Sequence, residues 1–356
     1  MTALLLVTAI AWASAAGGGT SVADLVVVAA VLVLALVRGP IPDLPRPMVV
    51  GLAATSVWML GRAAATHADA ESGLRVPVLV AVVTVTSMVT ARFTEEERTT
   101  LFRGLVTVGG VHASIAVFSA AVHLANGRTW FPPGYRSESL LGSANALGFI
   151  LVAAAAVTTH PSVVRRPEFA CVLLVLLWAG VLLTGSRSAI SAGILMAVVL
   201  MRRLRRLPVL VAIGAGLAVV VARFAASAHE PRGDVWLEAL HGLASHPFLG
   251  QGPGPMLFVT PNPADRITTH AHDEILQLGV EYGIVGLVLM SATIALALHQ
   301  GRRPQELSIA MAAFALLASG LFDFSLRVTA VAILAAAMTT CAFHPAIASR
   351  DVPGRA

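Results

Sequence analysis

Five histidines, His229, His241, His246, His270 and His272, fall in or beside one polar stretch of a chain that is otherwise apolar. A free imidazole ionises close to neutral pH, so such a group can take or give a proton under ordinary conditions. Positioned general bases contribute roughly 10²–10⁴ in rate. Near the start of the stretch stands Arg232, in R-G-D-V-W-L-E-A-L-H-G-L; a second arginine, Arg187, sits upstream in T-G-S-R-S-A. A guanidinium is a planar fork that matches the oxygens of a phosphate. Proton transfer and anion binding are therefore the chemistries on offer. Metal binding is not expected: His270 and His272 are spaced H-x-H, on different faces of any helix, with no further ligand spacing.

The elements that carry these residues are membrane spans. The 356 residues are 57% hydrophobic and 12% charged, with a mean hydropathy of +0.82. That balance excludes a soluble globular domain of this size and implies an all-α, polytopic transmembrane bundle. Twelve apolar segments are expected, near 2–16, 21–38, 47–66, 74–92, 102–124, 140–158, 168–184, 187–201, 207–227, 272–298, 305–323 and 328–344. No internal repeat or linker is evident, so one integral membrane domain over 1–356 is expected. A long loop over about 228–271 joins the ninth and tenth spans. The N-terminus resembles a signal peptide but lacks a basic leader, and reads as a short first span. Cys171 and Cys341 both lie in apolar runs, which argues against a disulfide.

Net charge is +5, every basic residue is arginine, and the arginines occupy short loops. This is the positive-inside bias of a membrane protein rather than a nucleic-acid footprint. The chain's Ala, Val and Gly content, without lysine, suggests a GC-rich bacterial genome. Arg38 and Arg46, Arg92 to Arg103, Arg165 and Arg166, the run R202-R-L-R-R206, Arg302 and Arg303, and Arg350 and Arg355 all follow even-numbered segments. The alternate loops are poorer in arginine. Both termini are thus expected in the cytoplasm and the long loop outside, at a bacterial inner membrane.

Arginines on the outer side run against that bias. Arg187 would also open a helix, where the dipole disfavours a cation, so an anion-binding role is favoured over snorkelling. The segment from Asp234 has Val235, Trp236, Ala239, Leu240 and Leu243 at helical spacing, the pattern of a short amphipathic helix on the membrane surface. Gly242 and His246-Pro247 should end it. Q251-G-P-G-P lacks the strand and lysine of a phosphate loop and reads as a rigid turn. A helix is expected from His272. His272 and Gly283 would share one face about 16 Å apart, with Glu281 on the opposite side. Gly279 and Gly283 would be a close-packing pair. Lipid-facing Gln277 and Glu281 would be costly, so this helix should rise above the bilayer or line a wet cavity. In R136-S-E-S-L-L-G-S-A-N-A-L-G, Arg136 lies outside and Asn145 enters the sixth span. Asp323 and Arg327 are expected to pair with each other. His112 is expected to be a satisfied core histidine.

Taken together, R-x-x-x-W at Arg232 to Trp236, H-P-F-L-G-Q-G-P-G, His272 followed eleven residues later by Gly283, T-G-S-R-S-A and L-L-G-S-A-N-A-L-G resemble the O-antigen ligase and polymerase family over roughly residues 130–330. The chain departs from the family pattern at Trp236, where ligases usually carry leucine, and at Asp273, where many relatives carry asparagine. The resemblance implies an inverting, metal-independent glycan transferase without a cofactor. Its donor is a polyprenyl-diphosphate-linked saccharide and its acceptor a glycan or lipid-glycan hydroxyl, among membrane lipids and without nucleic acid. It implies His272 as general base, Arg187 and Arg232 on the diphosphate, and Arg136, Asn145, Ser186, Glu281 and His270 in support. A repeat-unit polymerase is the nearest alternative. A transporter or flippase of lipid-linked sugars, which should carry ionisable residues deep in its spans, and a scaffold subunit are alternatives of other classes.

Overall fold

The computed structural model describes residues 1–18, 21–37, 46–68, 70–127, 136–200, 213–222, 232–254, 258–259, 267–268, 271–299, 306–321 and 325–344. His229, His270, Asp323 and the R202–R206 run lie outside them. The described chain is almost entirely helical: α1 (Thr2–Ala15), α2 (Val22–Val37), α3 (Arg46–Ala65), α4 (Ala70–Thr90), α5 (Glu95–Ala125), α6 (Ala144–Thr158), α7 (Pro167–Thr184), α8 (Arg187–Leu200), α9 (Ile213–Ala222), α10 (Arg232–Ser245), α11 (Glu274–His299), α12 (Leu307–Ala318) and α13 (Thr329–Phe343). A two-residue antiparallel pairing joins Phe258–Val259 to Ile267–Thr268. Every one of the twelve expected apolar segments contains a helix. Four helices, within α4, α5, α7 and α11, are long and apolar enough to cross a membrane. Among the described residues, the expected count of about twelve spans thus stands at four by length and composition, with eight shorter apolar stretches of helix.

The centre is built from small residues. In α6, ANALGFILVAAAAVT, all fifteen residues are buried, and α13 is nearly as enclosed. A helix that is apolar all round belongs in an interior, and alanine lets neighbours approach closely. Around α6 pack α5, α7, α8 and α12; α13 packs on α12, α4 and α1. Larger side chains such as Val27, Val33, Phe118, Phe169 and Val175 face outward. A surface of that kind suits lipid.

The connections between helices segregate to two ends. At one, Gly142 approaches Gly17, Ala330 N donates to Gly18 O, and Ser137 N donates to Leu183 O. Arg62 reaches Gly250, and Arg327 reaches Glu274. These contacts link described parts of the arginine-poor connections to one another or to the helix ends beside them. At the other end Arg92 donates to Leu36 O and Arg98 to the carbonyls of Cys341 and His344, while Arg103 donates to Ser162 O. Two of these arginines thus satisfy the orphan carbonyls at the C-termini of α2 and α13. Among the described residues, the sorting of loops by arginine agrees with the sorting of loops by contact. Cys171 and Cys341 are free thiols.

Candidate functional site

At the arginine-poor end, α7 stops at Thr184 and Gly185 turns the chain in the left-handed region, φ 58°. Ser186 is buried and its Oγ accepts from Ala189 N, so it caps α8. Arg187 is the first residue of α8 and is half-buried. Arg136 lies against this turn: its Nε donates to Thr184 O at 3.2 Å and its Nη2 to Asn145 Oδ1 at 2.5 Å. Asn145 is in the first turn of α6, one residue after the helix start that Ser143 caps. A Cβ on Gly148 would sit 2.6 Å from the Ala189 Cβ, so only glycine lets α6 meet the turn this closely. Four of the expected residues, Arg136, Asn145, Ser186 and Arg187, are therefore gathered in one place. His112, further along α5, is within 3.0 Å of Ser139 Oγ and is buried, a satisfied core histidine as expected.

The second group surrounds α11. Helix α10 is present where the spacing predicts it, ending at Ser245 before His246-Pro247. Val235 and Ala239 form a buried cluster with Ala271 and Val280, backed by Leu243 and Leu276. Leu240, expected on that apolar face, is exposed, as is Leu237; the α10 face towards the protein is narrower than its spacing suggests. Arg232 opens α10 one turn before Val235, and His272 follows Ala271, so the two flank the same cluster. His241 and His246 are exposed.

His272 is not helical. It takes φ 54°, in the left-handed region, and the helix begins at Glu274. Asp273 is the cap: its Oδ1 accepts from Leu276 N at 2.9 Å. An asparagine oxygen would serve equally, which accounts physically for the departure noted at that position.

Gly283 is not part of a close-packing stripe. It breaks α11, with φ 68° and ψ −175°, a conformation open essentially to glycine alone. The break strands carbonyls on one side and amides on the other, and the H246-P-F-L-G-Q-G-P-G turn satisfies both. Gln251 N and Gly252 N donate to Val280 O and Glu281 O at 2.7 and 2.9 Å. Ile284 N donates to Pro247 O at 2.8 Å and Val285 N to Phe248 O at 3.5 Å. Trp58 Nε1 adds a bond to Tyr282 O. The rigid turn expected at Q251-G-P-G-P is thus a plug for a broken helix.

Glu281 faces neither lipid nor a wet cavity. Arg327 Nη1 and Nη2 each donate to one of its carboxylate oxygens at 2.9 Å, and Arg327 Nε donates to Glu274 Oε2 at 3.1 Å. All three residues are buried. Burial alone would lower the Arg327 pKa, but the carboxylates of Glu281 and then Glu274 hold it above its usual value. The carboxylates on α11 thus give Arg327 a bidentate, enclosed partner; the expected pairing with Asp323 falls outside the described residues. Gln277 Nε2 donates to Glu281 Oε1 at 2.7 Å, and Gln277 Oε1 accepts from Ala271 N at 2.8 Å.

Sequence reasoning missed Arg62 and Arg75. Arg62 Nη2 donates to Gly250 O at 2.9 Å, and Arg75 lies within electrostatic range of Arg327, Glu274 and Glu281. Both were absorbed into the apolar segments 47–66 and 74–92. The available signal was an arginine inside an apolar segment, which is costly without a partner. The turn Ser319–Leu321 packs on both α6 and α11 and so connects the two groups. Among the described residues no three His, Cys, Asp or Glu side chains are arranged to hold a metal.

Residues 172–291, from α7 into α11, match the family model for O-antigen ligase. Over this stretch the chain is similar to the O-antigen ligase family. The matched segment holds Arg187, Arg232, His272, Glu281 and Gly283; Arg136, Asn145 and Arg327 fall beyond it, so it is narrower than the resemblance seen in the sequence. No curated protein matches the chain. At the family level the O-antigen ligase match supports a membrane enzyme of polysaccharide biosynthesis that acts on lipid-linked glycans.

Proposed function

We propose that this protein transfers a glycan from a polyprenyl-diphosphate-linked saccharide to an acceptor hydroxyl at the extracytoplasmic face of a bacterial inner membrane, with both termini in the cytoplasm. The observation that carries the reading is that the O-antigen ligase match spans Arg187, Arg232 and His272 together, in a chain whose described arginine-poor connections contact one another at one end. Such a donor has its lipid in the bilayer, its diphosphate at the interface and its sugar outside. Arg187 and Arg232, each opening a helix at that end, hold the diphosphate. His272 takes the proton of the acceptor hydroxyl. The hydroxyl oxygen attacks the anomeric carbon from the face opposite the diphosphate, the bond to the diphosphate breaks, and configuration inverts. Negative charge grows on the departing diphosphate, and preset guanidinium forks stabilise it there. The activated donor supplies the driving force.

The test compares cells lacking the gene with cells complemented by wild type, His272→Ala or Arg187→Lys, following lipid-linked and surface glycan together. His272→Ala should abolish transfer and Arg187→Lys should lower it at least about tenfold, since an ammonium cannot reproduce a bidentate fork. Full-length lipid-linked glycan accumulating outside identifies a ligase; single repeat units identify a polymerase. Full complementation by His272→Ala, or accumulation on the inner leaflet, overturns the transferase reading in favour of a transporter.

A further inference from the structure

We infer that Gln277 is a positioning residue for His272, through a chain of hydrogen bonds that begins at Arg327. This rests on the reading of His272 as the base. Arg327 comes from the turn between α12 and α13 and grips Glu281 with two parallel bonds. Glu281 accepts from the Gln277 amide, and the Gln277 carbonyl accepts from the Ala271 amide. Ala271 is fully buried and covalently precedes His272. Every side chain in this chain is buried: Gln277 is 2% exposed, Glu281 2% and Arg327 8%.

The geometry needs such a device. His272 is one of three non-glycine residues at positive φ among the described residues. It sits outside the helix, two residues before Glu274 opens it. A non-glycine residue in the left-handed region is held there by its surroundings, at a cost the rest of the structure must offset. On its far side Asp273 is fixed as the helix cap. On its near side the grip identified here is the Gln277 bond to Ala271. Gln277 is matched to both partners at once: its carbonyl meets an amide donor and its amide meets a carboxylate, a pairing no carboxylate or apolar side chain of that length reproduces. Displacing a catalytic group by about 1 Å costs on the order of 10²-fold in rate.

The test uses full-length enzyme in detergent and, as donor, the lipid-linked glycan extracted from cells lacking the gene. Gln277→Met keeps the length and bulk but breaks both bonds. It should lower kcat by about 10–100-fold with KM for the donor within about twofold. In a His272→Gly background, transfer rescued by added imidazole uses a base not tied to the backbone, so Gln277→Met should leave the rescued rate unchanged. A kcat within about twofold of wild type, or a full Gln277→Met loss that persists in the imidazole-rescued reaction, overturns the positioning role. Should the methionine variant not fold, Gln277→Asn, too short to reach both partners, decides in its place with the same expected loss. Full activity of His272→Gly without imidazole is a separate result: it removes His272 as the base and sinks the functional reading itself.

Discussion

Arg327, Glu274 and Glu281 form an enclosed trio of one cation and two anions, and its members are interdependent. Removing one member of a buried ion pair leaves a charge without a partner, at about 3–5 kcal/mol, whereas removing all charges together is often neutral. Arg327→Met should therefore lower stability by that amount, read as a drop in thermal midpoint in detergent. Adding Glu274→Gln and Glu281→Gln should recover most of it. An unchanged midpoint for Arg327→Met would mean water reaches the trio. At this scale the sequence was uneven. Arg136, Asn145, Ser186 and Arg187 were legible because short motifs hold them, and a polar residue at a helix start has few things to do. The α11 partners of Arg327 were not legible because they lie 46 and 53 residues away, whereas Asp323 is near along the chain. Glu281 was expected at a raised or wet surface rather than in an ion pair, because periodicity gives the face of a helix, not what stands opposite.

The broken helix α11 and its plugging turn make a unit in which Gly250, Gly252 and Gly283 are each required and Gly254 is not. A Cβ on Gly283 would lie 2.2 Å from Phe248 O, and one on Gly250 2.5 Å from Glu281 O; both sit at positive φ. Alanine at either should cost at least about 3 kcal/mol. Gly254, two residues past the turn's last bond, has open space around it, so Gly254→Ala should stay within about 0.5 kcal/mol. Thermal unfolding of the three variants side by side checks this; equal losses at all three would mean the turn is generally fragile rather than specifically fitted. Helices were legible because apolar runs of this length leave the backbone no other way to satisfy itself. The break was not, because G-x-x-x-G spells both a packing stripe and, at its second glycine, a reversal. Only the turn arriving from residues 247–252 decides between them.

At the scale of the whole molecule, the arginine count of the described loops agrees with which of them touch. Charge bias sets how loops distribute across a membrane, and loops on one side are the ones able to meet. The side itself follows from the same rule. An alkaline phosphatase fused after Ser245 should be active, and one fused after Ser162 inactive by at least about tenfold; the reverse pattern would invert the orientation and place the proposed site in the cytoplasm. The N-terminal third agreed with the family only in hydropathy, yet Trp58 and Arg62 hold the turn that plugs α11. That contribution was hidden because it consists of single polar side chains inside apolar segments.

The break at Gly283 also imposes an order on biogenesis. A segment entering a bilayer must keep its amides and carbonyls paired, and until the 247–252 turn arrives an unbroken helix is the form of 274–299 that does so. Helix α11 is then inserted straight and bent afterwards, once α3 and the turn are in place. A cysteine pair at Leu249 and Ile284, followed by pulse-chase, should cross-link only after insertion is complete; cross-linking during insertion would show the bend forming first. On this account the membrane machinery is handed a plain span, and the kinked geometry at the substrate end is a product of maturation.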